Sequence, residues 1–183
     1  VGVSLISLFL VVITSVVVFY TSMLKKQTEE ALQETQKAKA VSEFLGSLFE
    51  AASPEEARGK TITARDLLSE GAKRINKELS DTPEIQTAMF GIIGDVYRRI
   101  SDYEAAEVLL QQALNQNKQL FGETSKEVLM ASSNLGELYM QKGQFEKSDS
   151  LINIAIRMTE SVKDLNPVAR GELMQIKAEL VFE

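Results

Sequence analysis

The sequence predicts an all-α chain: an N-terminal transmembrane helix, a helical stalk, and then an α-solenoid of stacked helical hairpins. Three observations carry that prediction. The first 24 residues contain no charged side chain. The whole chain holds only 3 Pro and 10 Gly, so good helix formers run in long unbroken stretches. One pattern of small, aromatic and aliphatic residues recurs at a constant separation of 42 positions.

Composition removes whole classes of chemistry. The chain has no Cys, His or Trp. Disulfide frameworks, Cys/His zinc sites and His-based nucleophilic triads are therefore excluded. A net charge of −6 argues against a broad electrostatic grip on nucleic acid. No metal site, cofactor site or catalytic residue is expected in this segment. The carboxylate pairs Glu29/Glu30 and Glu55/Glu56 read as solvated or capping charges. Ser132-Ser133 and the Gly91/Gly94 pair lie inside helical pattern, where packing explains them.

Residues 1–24, VGVSLISLFLVVITSVVVFYTSML, form the anchor. A helix of that length spans ~36 Å, against ~30 Å for a bilayer core. Tyr20 suits the interface, and Lys25 and Lys26 can reach the headgroups. The run Val16-Val17-Val18 disfavours helix in water, but in lipid the backbone must satisfy itself. A signal peptide would show a basic start, a shorter apolar run and a small-residue cleavage site. The lipid bilayer is thus an expected partner and the chain an expected single-pass membrane protein. Lys25, Lys26, Lys37 and Lys39 follow the span, and basic flanks prefer the cytoplasm.

Residues 25–52 read as a juxtamembrane stalk and docking helix. Residues 28–40 are polar and alanine-rich, with little to bury. From Val41 the chain carries Phe44, Leu45, Leu48 and Phe49 at i, i+3, i+4, i+7, i+8 spacing, one apolar face of a helix. The helix is expected to stop near Ala52. Ser53-Pro54-Glu55-Glu56 is a stop and restart, and Gly59-Lys60 a loop. Residues 53–86 form a helical lead-in. Thr63 to Asp66 reads as a capping box. Leu67, Leu68, Ala72, Ile75 and Leu79 supply the apolar side, and Asp81-Thr82-Pro83-Glu84 is a second stop and restart.

The repeat follows. Ile93-Gly94, Tyr97, Tyr103, Ala106, Leu110 and Ala113-Leu114 match Leu135-Gly136, Tyr139, Phe145, Ser148, Ile152 and Ala155-Ile156, each 42 positions on. The glycines let paired helices approach closely, and the tyrosines fill the space beside them. Ser101-Asp102 and Lys142-Gly143 fall at the turns, and Gly122 is expected as a left-handed C-cap. A single hairpin cannot bury both faces, so the repeats stack. The boundaries are 87–128 and 129–170, with a truncated third repeat over 171–183. There Met174, Ala178 and Val181 stand 42 beyond Ser132, Gly136 and Tyr139, with Lys177 departing from the apolar class. The start at Val1 and the stop after Leu180, Val181 and Phe182 lead to the expectation of a fragment cut at both ends.

This spacing resembles the tetratricopeptide repeat, in the longer form of kinesin light chains, over residues 87–170. Ser132, in place of a large apolar residue, and Ser101, in place of a turn glycine, depart from the pattern. A spanning helix, the stretch from Val41 to Gln86, and then 42-residue repeats is similar to the region after the catalytic domain in bacterial membrane-bound serine/threonine protein kinases. That resemblance implies a cytoplasmic kinase domain upstream of Val1, ATP and Mg only there, and extracytoplasmic repeats. Without a kinase the repeats are expected in the cytoplasm. No glycine-rich phosphate loop, His-Arg-Asp loop or Asp-Phe-Gly site occurs in this segment.

The expected partner is a protein or peptide on the concave face lined by the first helix of each hairpin. Asp95, Arg98 and Arg99 in the first repeat and Asn134, Glu137 and Gln141 in the second are the candidate contacts. Arg98 and Arg99 suit bidentate capture of a carboxylate. The alternative is that they are solvated cations completing a helix dipole. The functional expectation is a membrane-tethered protein–protein interaction scaffold, the sensor or docking region of such a kinase. The alternative is a kinase-independent membrane-bound assembly or secretion scaffold.

Overall fold

The computed structural model describes residues 2–51, 63–159 and 167–181. These residues form seven α-helices and no strand: α1 (Gly2–Ala51), α2 (Ala64–Glu78), α3 (Pro83–Arg99), α4 (Tyr103–Phe121), α5 (Lys126–Gln141), α6 (Phe145–Met158) and α7 (Pro167–Val181). The Ser53 to Glu56 restart, the Gly59-Lys60 loop and Phe182 lie outside the described residues. The chain divides into two compact units, Val1–Glu43 and Phe44–Glu183.

The first unit is helix alone. Its side chains from Phe9 to Leu24 are exposed, and α1 is long and apolar enough to cross a membrane by length and composition. The polar residues after it keep the helical conformation without a break.

The second unit begins with the last turns of α1. Phe44 and Leu48 are buried there. Phe49, placed by periodicity on the same face, is instead 67% exposed. The reason is the narrowness of the contact. Arg74 on α2 lies 5.4 Å from the Phe44 ring centroid and donates to the Ser47 hydroxyl at 3.0 Å. Leu48 sits over Gly71, where a Cβ would fall 2.8 Å from its Cδ1 and 3.0 Å from Cδ1 of Ile93. Phe49 is rotated about 100° from Leu48 around the helix and misses that contact. Gly71 precedes Ala113 by 42 positions and Ala155 by twice that. So α2 occupies the register of a second hairpin helix, one repeat ahead of the pattern recognised from the sequence.

Helix starts follow the expected local chemistry. Thr63 Oγ1 accepts from the Asp66 amide at 3.1 Å, and Asp66 Oδ2 accepts from the Thr63 amide at 3.0 Å, completing the capping box. Pro83 opens α3 at its first position, and Pro167 opens α7 two repeats later. The first helices of the hairpins begin at Pro83, Lys126 and Pro167, three or four residues ahead of 87, 129 and 171.

Within each hairpin the glycines set the approach. A Cβ on Gly94 would lie 2.9 Å from Leu110 Cγ, and one on Gly136 2.7 Å from Ile152 Cδ1. Tyr97, Tyr139, Ala106, Leu110, Ala113, Ile152 and Ala155 are all buried. Ser148 replaces the small Ala106 without penalty because its hydroxyl donates to the Gly136 carbonyl at 2.7 Å. Ser132 stands fully buried where the first repeat has Phe90.

The two hairpin turns close identically. Ser101 N donates to Arg98 O and Asp102 N to Tyr97 O, at 3.0 and 2.9 Å. Gly143 N and Gln144 N do the same to Met140 O and Tyr139 O, at 2.9 and 2.8 Å. The turn residue has φ 62° at Ser101 and 70° at Gly143. An L side chain is strained there by ~1–2 kcal/mol, and glycine returns ~0.5–1 kcal/mol of that as chain entropy. Ser101→Gly should therefore raise the thermal midpoint by a few degrees, and Gly143→Ala should lower it, in melts of the chain in mild detergent. Opposite signs would show that φ is not the controlling variable. Gly122 ends α4 at φ 85° but ψ 163°. It is thus not the left-handed cap expected; its conformation lies in a region open almost solely to glycine.

The third-repeat positions are only partly buried. Leu173 and Ile176 pack inward, whereas Met174 is 49% exposed and Ala178 is also exposed. The counterparts Ser132 and Gly136 face α6, and among the described residues no helix stands in that place beside α7. Lys177 is explained by its partner: its ammonium ion-pairs with Asp149 on α6.

Candidate protein-binding surface

The buried side of α3 runs through Phe90, Gly94 and Tyr97. On its opposite flank Glu84, Ala88, Gly91, Asp95 and Arg99 form one stripe, each exposed or half-buried. The equivalent stripe of α5 is Lys126, Met130, Ser133, Glu137 and Gln141, again exposed or half-buried. Together they make the open face lined by first helices. Met130, at 50% exposure, is its largest exposed apolar side chain. Of the residues the sequence nominates, Asp95, Arg99, Glu137 and Gln141 lie on these stripes. Ala88, Met130 and Ser133 lie on the same stripes, and their spacing from the recurring glycines Gly94 and Gly136 is the signal that locates them. Asn134 is half-buried at the margin of the stripe.

Arg98 is the correction. It is 5% exposed and does not stand in solvent as a helix-end cation. Its Nε and Nη2 donate to Asp95 Oδ1 at 3.0 and 2.7 Å, and its Nη1 donates to Glu137 Oε1 at 2.8 Å. Arg99 is exposed but its Nε donates to Asp95 Oδ2 at 2.7 Å. One guanidinium therefore clasps α3 to α5 beneath the open face. Burial pushes the Asp95 carboxyl up, but the hydrogen bonds from Arg99 and Arg98 outweigh it and hold the group below its ordinary value. With Arg99 the cluster holds two guanidiniums and two carboxylates, so it presents no strong net charge of either sign to a partner.

A second polar cluster joins α4 to α5. Glu107 accepts from Tyr139 Oη at 3.0 Å and from Lys142 Nζ at 2.5 Å. The Lys142 hydrogen bond lowers the Glu107 carboxyl, against burial and with help from Tyr139. Burial, and then the bond to Glu107, pushes the Tyr139 hydroxyl up to about 12. The folded chain thus holds that proton more tightly than an unfolded tyrosine near 10 does. Its stabilising contribution is intact below pH ~10 and is lost as the pH rises through ~12. Tyr139→Phe should flatten the loss of stability across that alkaline window, read as thermal midpoint against pH. An unchanged slope would place the alkaline sensitivity elsewhere.

Buried polar side chains complete the frame. Asn117 Nδ2 donates to the Glu127 carbonyl at 3.3 Å, and Thr87 Oγ1 to the Ala113 carbonyl at 3.2 Å. These bonds lock α4 against both α3 and α5. No periodicity signalled them, because polar residues on a helix read as surface.

Comparison with known proteins agrees with this architecture. A family model described as tetratricopeptide repeat matches residues 84–161. The chain is similar to a solved structure titled BtubC (BKLC) from P. vanneervenii, at 16% identity and a TM-score of 0.51, covering 81% of this chain and 69% of that one. No curated protein matches the sequence. Residues 84–161, then, match the tetratricopeptide repeat, and the described residues form an all-α solenoid.

Proposed function

We propose that the chain is a membrane-tethered protein–protein interaction scaffold, with residues 1–24 in the bilayer and the α3/α5 face receiving a segment of a partner protein. The observation that carries this reading is the open stripe itself: Met130 exposed among Ala88, Ser133 and Gln141, over a floor held rigid by Arg98. That chemistry suits an apolar anchor seated at Met130 with polar contacts from Arg99, Asn134 and Gln141. It does not suit carboxylate capture by Arg98, whose donors are engaged.

The test places a photo-crosslinking side chain at Met130, at Gln141, or at Val108, which is exposed on α4. The same partner should be captured from the first two positions and not from Val108, and Met130→Glu should abolish capture. Capture from Val108 alone would move the site to another face.

The finer reading is that this is the docking region of a membrane-bound serine/threonine kinase with extracytoplasmic repeats. The resemblance of the Val41–Gln86 stretch and its order after a spanning helix support it. Catalytic-domain signatures in the coding sequence upstream of Val1 would sustain it. A coding sequence that starts there would leave the scaffold alone. Protease accessibility of the repeats in intact cells decides the side of the membrane.

A further inference from the structure

The first unit of the chain is a single helix. Every described side chain from Phe9 to Thr35 is exposed, including Leu32 at 58% in the polar stalk. Helices of this kind gain most of their stability from packing. The sequence shows where packing would occur. Thr14, Thr21, Thr28 and Thr35 recur every seven residues, and three positions after each stand Val17, Leu24, Ala31 and Ala38. This seam runs from the apolar segment into the stalk without a charge. The eight charges between Lys25 and Glu43 all fall at the other heptad positions. A strict seven-residue period is the signature of a left-handed pair of helices.

We propose that α1 pairs in parallel with α1 of a second copy of this chain along that seam. Two features point to a copy rather than to lipid or to another helix. The first is charge complementarity. In a parallel pair each residue just before a seam threonine faces the partner residue five positions further on. That sets Glu34 of one copy against Lys39 of the other, and Tyr20 against Lys25, a ring facing an ammonium. Both lysines are 75% or more exposed, and their contacts within the helix are weak, at 3.9 Å from Lys25 to Glu29 and 3.7 Å from Lys39 to Glu43. The second feature is the state of the seam hydroxyls. Thr14, Thr21, Thr28 and Thr35 each donate to the carbonyl four residues back, at 2.9, 2.9, 2.5 and 2.8 Å. Their protons are satisfied on their own helix, so two backbones can approach closely, in lipid as in water. The inference goes beyond the scaffold reading and shares only the anchor with it.

The chain has no cysteine, so an introduced thiol is unique. Full-length chain carrying Ala31→Cys, Ala38→Cys, Gln33→Cys or Gln36→Cys is reconstituted in phosphatidylcholine vesicles and oxidised. Disulfide dimers should form about tenfold faster at Ala31 and Ala38 than at Gln33 and Gln36. Equal rates at all four positions, or faster rates at the glutamines, would overturn the seam. The charge register is tested with Ala38→Cys in the background. Glu34→Lys and Lys39→Glu should each slow self-crosslinking. Mixing the two variants, one of them size-tagged, should restore it as a heterodimer, since both contacts then regain opposite charges. No heterodimer preference would overturn the parallel register. Partner capture at Met130 is unaffected by either failure, so the two readings stand or fall separately.

Discussion

Gly94→Val is expected to lower the stability of the repeat unit by about 3 kcal/mol or more, and Gly94→Ala by about 1–2 kcal/mol, whereas Gly91→Ala three residues earlier should raise it by about 1 kcal/mol. Both glycines interrupt the same helix and share the same entropic disadvantage. They differ in what a Cβ would meet. At Gly94 it would fall 2.9 Å from Leu110 Cγ and 3.2 Å from Leu109 Cβ, and the second of these cannot swing away. At Gly91 there is nothing within 4 Å. Overpacking outweighs helix propensity at the first site and is absent at the second. In a unit of this size 1 kcal/mol moves the midpoint by ~4 °C, so the two alanine variants should separate by roughly 10 °C. Equal midpoints would mean that α3 and α4 slide apart freely, and that the glycine does not set their spacing. Gly136→Ala should resemble Gly94→Ala but less severely, since the nearest atoms are the outer carbons of Ile152.

That contrast also shows what the sequence could and could not reveal. The 42-residue recurrence identified Gly94 and Gly136 as contacts, because small residues at a fixed offset in two helices have a packing reason. Local chemistry exposed the long apolar helix, the capping box at Thr63 and the restart at Pro83. Gly71 sits in the same register without announcing it, because the stretch before it lacks the aromatic landmark: Glu55 stands 42 positions before Tyr97. The burial of Arg98 was hidden for a different reason. An arginine near a helix end reads as a solvent-facing cation unless a carboxylate on another helix is known to lie within reach. Glu137 is 39 positions away, and no periodic signal links the two. Tertiary ion pairs between non-equivalent repeat positions are invisible to a method that compares equivalent ones.

Arg98→Ala is the second large effect expected, a loss of about 2–3 kcal/mol. Breaking a fully buried pair costs about 3–5 kcal/mol, and the partial exposure of Asp95 and Glu137 reduces that range. Two contributions are mixed in the alanine variant, the charge and the long side chain that fills the α3/α5 junction. Arg98→Met keeps most of the volume and removes the charge. Asp95 retains Arg99 in that variant, so only Glu137 is stranded, and its partial exposure lets water take over. Arg98→Met should therefore lose less than Arg98→Ala, and Glu137→Gln less again, near 1 kcal/mol. A cycle built from Arg98→Met and Glu137→Gln should show a coupling of about 1 kcal/mol, read from urea unfolding in mild detergent. Zero coupling would reduce the clasp to a surface pair. Partner capture from Met130 separates positioning from contact. If Arg98 acts only by fixing α3 against α5, then Glu137→Gln, which also loosens that junction, should weaken capture in proportion to its stability loss. A direct contact would instead show Arg98→Met abolishing capture while Glu137→Gln leaves it whole.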